Sequence, residues 1–86
     1  MTTIYKYPIR ITDEQQIEMP STRKFLHAGL DLSRRPCIWV LVDTGSPVTK
    51  ATIRVAGTGN ELGLDFFGRT FVGTFTMDVF AWHVFA

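Results

Sequence analysis

A single cysteine, Cys37, excludes an internal disulfide, and alone it cannot build a zinc site. No apolar run approaches the ~20 residues of a membrane-spanning helix, so no membrane partner is expected. The opening segment, MTTIYKYPIR, lacks the apolar core of a signal peptide. Net charge is also scarce, because nine Lys and Arg stand against eight Asp and Glu, a balance of +1. A chain this neutral is a poor candidate for non-specific DNA binding, which rests on many phosphate contacts. Nor is it acidic enough to mimic DNA. Disorder is excluded as well, since 45% of the residues are apolar and mean hydropathy is +0.10. The expected product is a soluble protein of a reducing cytoplasm.

What remains is a short, aromatic-rich chain. Its 86 residues allow one domain, residues 1–86. A domain of this size buries only about 60–65% of its unfolded surface. Seven Phe, two Trp and two Tyr must therefore supply bulk to a small core. Homo-oligomerisation would add to it and is expected.

The dominant hydrophobic period is two, which predicts strands. Thr3–Ile9 puts Tyr5, Tyr7 and Ile9 on one face and Ile4 and Lys6 on the other. Pro8 cannot donate a ladder hydrogen bond, so this strand is an edge or ends there. Thr12–Gln15 matches a capping box, but Pro20 follows within two turns, so a turn and a short strand Gln16–Met19 are expected. Lys24–Leu32 predicts a strand with Leu26, Ala28 and Leu30 on one face. Cys37–Val42 is apolar on both faces and predicts a central strand. Lys50–Ala56 alternates Ile53 and Val55 with Thr52 and Arg54. Residues 57–68 are irregular, with one helical turn expected near 60–67. Arg69–Met77 predicts Phe71, Gly73, Phe75 and Met77 inward and Thr70, Val72, Thr74 and Thr76 outward. Val79–Phe85 closes the chain, with Phe80, Trp82 and Val84 on one face. The expected fold is all-β, a small antiparallel sandwich or barrel of six to seven short strands.

Few motifs carry chemistry. Val40-Leu41-Val42-Asp43-Thr44-Gly45 resembles the catalytic loop of aspartic proteases, where two aspartates share a proton. With one such aspartate the chain would have to dimerise, and Asp43 is the one alternative catalytic candidate. Only 24 residues lie between Asp43 and Gly68, too few for the flap and strands of that fold. A simpler use of Asp43-Thr44-Gly45-Ser46-Pro47 is a turn. Gly57-Thr58-Gly59-Asn60-Glu61-Leu62-Gly63 has the glycines of a phosphate loop but not the G-x-G-x-x-G spacing. His27 and His83 stand alone, so no metal site and no cofactor are expected. Cys37 reads as a buried small hydrophobe. Six arginines outnumber three lysines, and the planar guanidinium suits phosphates and carboxylates. Arg54 and Arg69, with Trp39 or Trp82 and with Gly57, Gly59 and Asn60, form a candidate ligand-binding set.

Lys6-Tyr7-Pro8, Ile11 to Gln15 with Ile17 to Pro20, and Pro36 to Trp39 with Leu41 to Asp43 carry a wider likeness. Gly57-Thr58-Gly59, Val72 to Phe75 and His83-Val84-Phe85 continue it in the same order. Over nearly its full length the chain resembles a family of small proteins of tailed bacteriophages and prophages, a domain of unknown function. It departs from that family at Asn60-Glu61, where His-Pro is usual, and at Thr44-Gly45-Ser46, where a Pro-containing turn is usual. The resemblance implies a phage origin and a setting in the host bacterial cytoplasm, but no activity. The expected role is a non-enzymatic antagonist of bacterial antiviral defence, sequestering a nucleotide immune signal between subunits. Alternatives are a protein–protein inhibitor of a defence effector such as a CRISPR complex, a minor virion component, or a dimeric aspartic protease.

Overall fold

The computed structural model describes residues 1–86. Seven antiparallel strands follow one another: β1 Thr2–Pro8, β2 Gln15–Pro20, β3 Arg23–Leu30, β4 Pro36–Asp43, β5 Val48–Gly57, β6 Phe71–Met77 and β7 Phe80–Phe85. One 3-10 turn, Leu64–Gly68, lies between β5 and β6. The strands form two sheets, β1-β4-β3 and β2-β5-β7-β6. The fold is thus an all-β sandwich, as the period-two pattern requires. The central position of β4 follows from its apolar residues on both faces. Pro8 ends β1, an edge strand, where its missing N–H costs no ladder bond.

The core lies between the sheets. Ile38, Val40 and Val42 of β4 face Ile53 and Val55 of β5, Val72 and Phe75 of β6 and Val84 of β7, with Ile9, Met19, Ala28 and Ala51 completing the cluster. Gln15 is the buried polar side chain, and it closes the turn before β2. Its amide nitrogen donates to Arg10 O at 2.7 Å and its oxygen accepts from Arg10 N at 3.0 Å. That exchange replaces the capping box, so no helix starts there. At the far side the two sheets touch through Gly73. A Cβ on this residue would stand 2.7 Å from Ala28 N and 2.8 Å from Ala28 O. The missing side chain is what lets β6 lie against β3.

Two expected faces are corrected. Phe71 is exposed and Val72 is in the core, because a bulge between Phe71 and Gly73 shifts the register of β6. Likewise Leu26 is exposed, because a bulge between Phe25 and His27 leaves it unpaired and turns Phe25 toward the core. Strand ends also differ. Leu32 belongs not to β3 but to a fully exposed turn that Asp31 organises. Val79 lies in the β6–β7 turn, where Asp78 adopts φ 58°.

The solvent-accessible surface is 5588 Å². A compact monomer of this mass exposes about 5,100 Å². The excess reflects a flat shape, 39 × 32 × 16 Å, and several uncovered apolar side chains.

Candidate functional site

The outer face of β2-β5-β7-β6 carries the densest cluster of chemistry. Strand alternation points Arg54 of β5 and Phe85 of β7 outward as a cross-strand pair. Phe71 pairs with Phe85 on the other side. The 3-10 turn then folds Phe66 down onto this row. Its ring meets Phe85 edge-on at 5.2 Å, and Phe85 meets Phe71 at 5.6 Å. Arg54 and Arg69 both stand over Phe66, at 4.9 and 5.6 Å from the ring centre. The two arginines singled out in the sequence therefore do converge, around an aromatic ring that was not singled out.

Their charges are already engaged. Arg54 donates through Nε to Asp13 O at 2.8 Å and pairs with Glu14 at 3.9 Å. Arg69 donates through Nε to Asp65 at 3.3 Å. A small polar cleft of about 150 Å³ beside Arg54 is walled by Asp13, Asn60, Glu61, Gly63 and Phe66. Four acidic residues thus lie around two arginines: Glu14 and Asp65 pair with the guanidinium groups, and Asp13 and Glu61 line the cleft beside Arg54. The balance is acidic and the cleft is smaller than the ~300 Å³ of a typical small-molecule pocket.

The other candidates spread out. Gly57, Thr58, Gly59 and Asn60 form a β-turn closed by Asn60 N donating to Gly57 O at 3.1 Å. Gly59 takes φ 88° at its third position, which only glycine adopts freely. Thr58 N donates to Ala81 O at 3.2 Å. Two amides of the glycine loop are therefore spent on carbonyls. Trp82 pairs with Gly57 and packs against the core, on the face of the sheet opposite Arg54. Trp39 belongs to the other sheet altogether, on the outer face of β4 beside His27. The structure so brings Arg54, Arg69 and Asn60 to one region and separates both tryptophans from it.

Asp43 ends β4. Its carboxylate accepts from Gly45 N at 3.0 Å and pairs with the Met1 ammonium at 3.5 Å. Ser46 donates back to Asp43 O through both N and Oγ. This is the chemistry of a tight turn. His83 is held between two hydroxyls, Thr58 Oγ1 at 2.7 Å and Thr74 Oγ1 at 2.8 Å, which tie the glycine turn to β6.

Sequence reasoning missed an exposed apolar feature. Leu62, Gly63, Leu64, Phe66, Phe67 and Phe85 line an apolar groove of about 410 Å³. Leu64 and Phe67 are 84% and 90% exposed, so the groove rim is bare hydrocarbon. These side chains and the groove form a contiguous uncovered apolar patch. The signal was present in Leu62-Gly63-Leu64-Asp65-Phe66-Phe67-Gly68, four large apolar residues in six positions with no strand period to absorb them.

A family model matches residues 1–86, and its description is a domain of unknown function, DUF7352. The chain belongs to that family. No curated protein and no solved structure matches it.

Proposed function

For this member of an uncharacterised family, we propose a non-enzymatic binding protein of phage origin that antagonises bacterial antiviral defence by gripping a protein. The observation that carries the reading is the apolar groove beneath Leu64 and Phe67. Interface energy concentrates in a few buried anchors, with aromatic residues prominent among them. Phe67 and Leu64 are such anchors, presented by a turn that Phe66 pins to the sheet. Beside the groove Asp65 and Glu14 are paired with Arg69 and Arg54, and Glu61 and Asp13 tip the balance to acid. The complementary partner presents an apolar side chain ringed by basic residues. The setting is the cytoplasm of the infected host.

The test is a plating assay on strains carrying different defence systems, with and without the protein. Rescue on one strain is expected, and Leu64→Asp with Phe67→Asp should abolish it. Both side chains are exposed, so the variant should fold with an unchanged circular dichroism spectrum. No rescue on any strain, or rescue that survives both substitutions, would sink the reading. The nucleotide-sequestering form of the antagonist keeps one supporting observation, the convergence of Arg54 and Arg69. It needs a second subunit to outweigh the four carboxylates. Excess absorbance at 260 nm in a purified dimer, lost in Arg54→Ala with Arg69→Ala, would favour it over the groove.

A further inference from the structure

The outer face of β1-β4-β3 lies on the opposite side of the sandwich and differs in charge. Cross-strand register arranges it in rows. One row is Lys6, Trp39 and His27, and the next is Ile4, Leu41 and Lys24. The Trp39 and His27 rings lie side by side, 5.7 Å apart and tilted by 33°. Arg34 and Arg35 follow in the exposed β3–β4 turn. Lys24, Arg34 and Arg35 have no carboxylate within ion-pair distance.

The acids on this side are occupied. Asp31 accepts from Ser33 N at 2.8 Å, Arg35 N at 2.9 Å and Lys6 Nζ at 3.3 Å, and the Cys37 thiol donates to it at 3.6 Å. Asp43 lines a shallow depression that Lys24 also lines, and its carboxylate is paired with the N-terminal ammonium at 3.5 Å. A depression of about 410 Å³ opens beside Trp39, walled by Lys6, Leu30, Asp31, Leu32 and Ser33.

We propose that this face binds single-stranded nucleic acid, with Trp39 and His27 stacking bases and the unpaired Lys24, Arg34 and Arg35 meeting phosphates. Flat aromatic groups on an open sheet, flanked by cations, are the elements of a sequence-tolerant single-strand platform. An extended strand running along β4 passes over the ring pair, with Arg34 and Arg35 at the end where β4 begins and Lys24 opposite Leu41 beyond the rings. An acidic peptide would use the same cations but has no planar group for the rings. The net charge of +1 averages this face with the acidic groove on the other side.

The test titrates the protein into short fluorescein-labelled oligothymidylate and oligouridylate and reads anisotropy. Three phosphate contacts predict a loss of affinity of roughly 20-fold between about 50 and about 200 mM salt. Trp39→Ala should weaken binding at least about 5-fold, the low end of one lost base stack. The triple variant Lys24→Glu, Arg34→Glu, Arg35→Glu changes only exposed side chains and should abolish binding with the fold intact. In a Trp82→Phe background, Trp39 fluorescence should be quenched as the oligonucleotide binds. No binding at about 50 mM salt, or binding indifferent to the triple variant, overturns the proposal. So does equal competition by polyglutamate with no change in Trp39 fluorescence, which would mark a site for acidic protein. None of these readouts involves Leu64 or Phe67, so failure here leaves the groove reading standing.

Discussion

Gly73→Ala is the sharpest test of how the sandwich closes. The added Cβ would stand 2.7 Å from Ala28 N, 2.8 Å from Ala28 O and 3.1 Å from Ala28 Cβ. Two of these atoms are strand backbone, so no side chain can swing aside. Ordinary contact begins near 3.4 Å, so β6 must move away from β3 by several tenths of an ångström. Val72 and Phe75, core residues on either side of Gly73, would move with it. Overpacking of this kind costs about 1–3 kcal/mol. Loss of backbone freedom in the unfolded chain returns about 0.4–1 kcal/mol. A net loss of about 1–2 kcal/mol is expected, or a fall in Tm of roughly 4–16 °C for a domain of this size. Urea unfolding followed by tryptophan fluorescence would show a lower midpoint at an unchanged slope. Gly68→Ala is the control, since nothing lies within 4 Å of its added Cβ and its φ is ordinary. It should be neutral or slightly stabilising. Equal midpoints for Gly73→Ala and the wild type would refute the close approach of β3 and β6.

Three further outcomes follow from the same geometry. Val72→Ser should cost more than Phe71→Ser, which loses only its edge contact with Phe85, about 0.5–1.5 kcal/mol, reversing what strict alternation predicts; chemical denaturation of both decides whether the β6 bulge is real. The Asp31 carboxyl is held below the usual carboxylate range, chiefly by the Arg35 amide and also by Lys6 and Ser33, with burial opposing them. Its stabilising contribution is complete above the unfolded value of about 3.9 and is lost as pH falls through the lower folded value, so Ser33 and Arg35 amide resonances should shift with a midpoint below that of a free Asp; a midpoint at or above it contradicts the turn. Burial pushes the Cys37 thiol up, and the neighbouring Asp31 carboxylate adds to this. Iodoacetamide should label native Cys37 far more slowly than the urea-unfolded chain, and equal rates would remove Cys37 from the interior.

The strands were legible because period-two alternation is a direct image of a two-faced sheet. Cys37–Val42 announced its central place by being apolar on both faces. The two errors of facing share one cause. A bulge adds a residue without a residue type of its own, so Leu26 and Val72 could not be assigned by counting. At the candidate site the arginines were legible by type and not by company. Nothing local to Arg54 and Arg69 says that Phe66 will lie between them, since that contact needs the turn at 64–68 to fold back over β7. Trp39 fell on the wrong sheet because strand order is a long-range property. The apolar groove was hidden for a different reason. Its residues sit where no period exists, and alternation has nothing to say about them.

One consequence of the sandwich joins the two surfaces. Sequence order interleaves the charges, but the topology sorts them. Lys6 and Lys24 go to one outer face, with Arg34 and Arg35 in the exposed turn at its end and Asp31 and Asp43 spent on Lys6 and the N-terminal ammonium. Glu61 and Asp65 go with Asp13 and Glu14 to the other, beside Arg54 and Arg69. Between the faces lies a core that holds no charged side chain. The fields of the two sides therefore act on different partners, with exposed charges screened beyond about 8–10 Å at physiological salt. Glu61→Lys with Asp65→Lys should disturb groove-dependent rescue and leave the Lys24, Arg34 and Arg35 face unaltered in its oligonucleotide affinity, to within about 2-fold once the change in overall charge is screened at about 0.15 M salt. The charge reversals on the lysine and arginine face should do the opposite. If either set moves both readouts together while circular dichroism shows intact folding, the faces are not independent, and a single continuous surface running over a sheet edge replaces the two-sided picture.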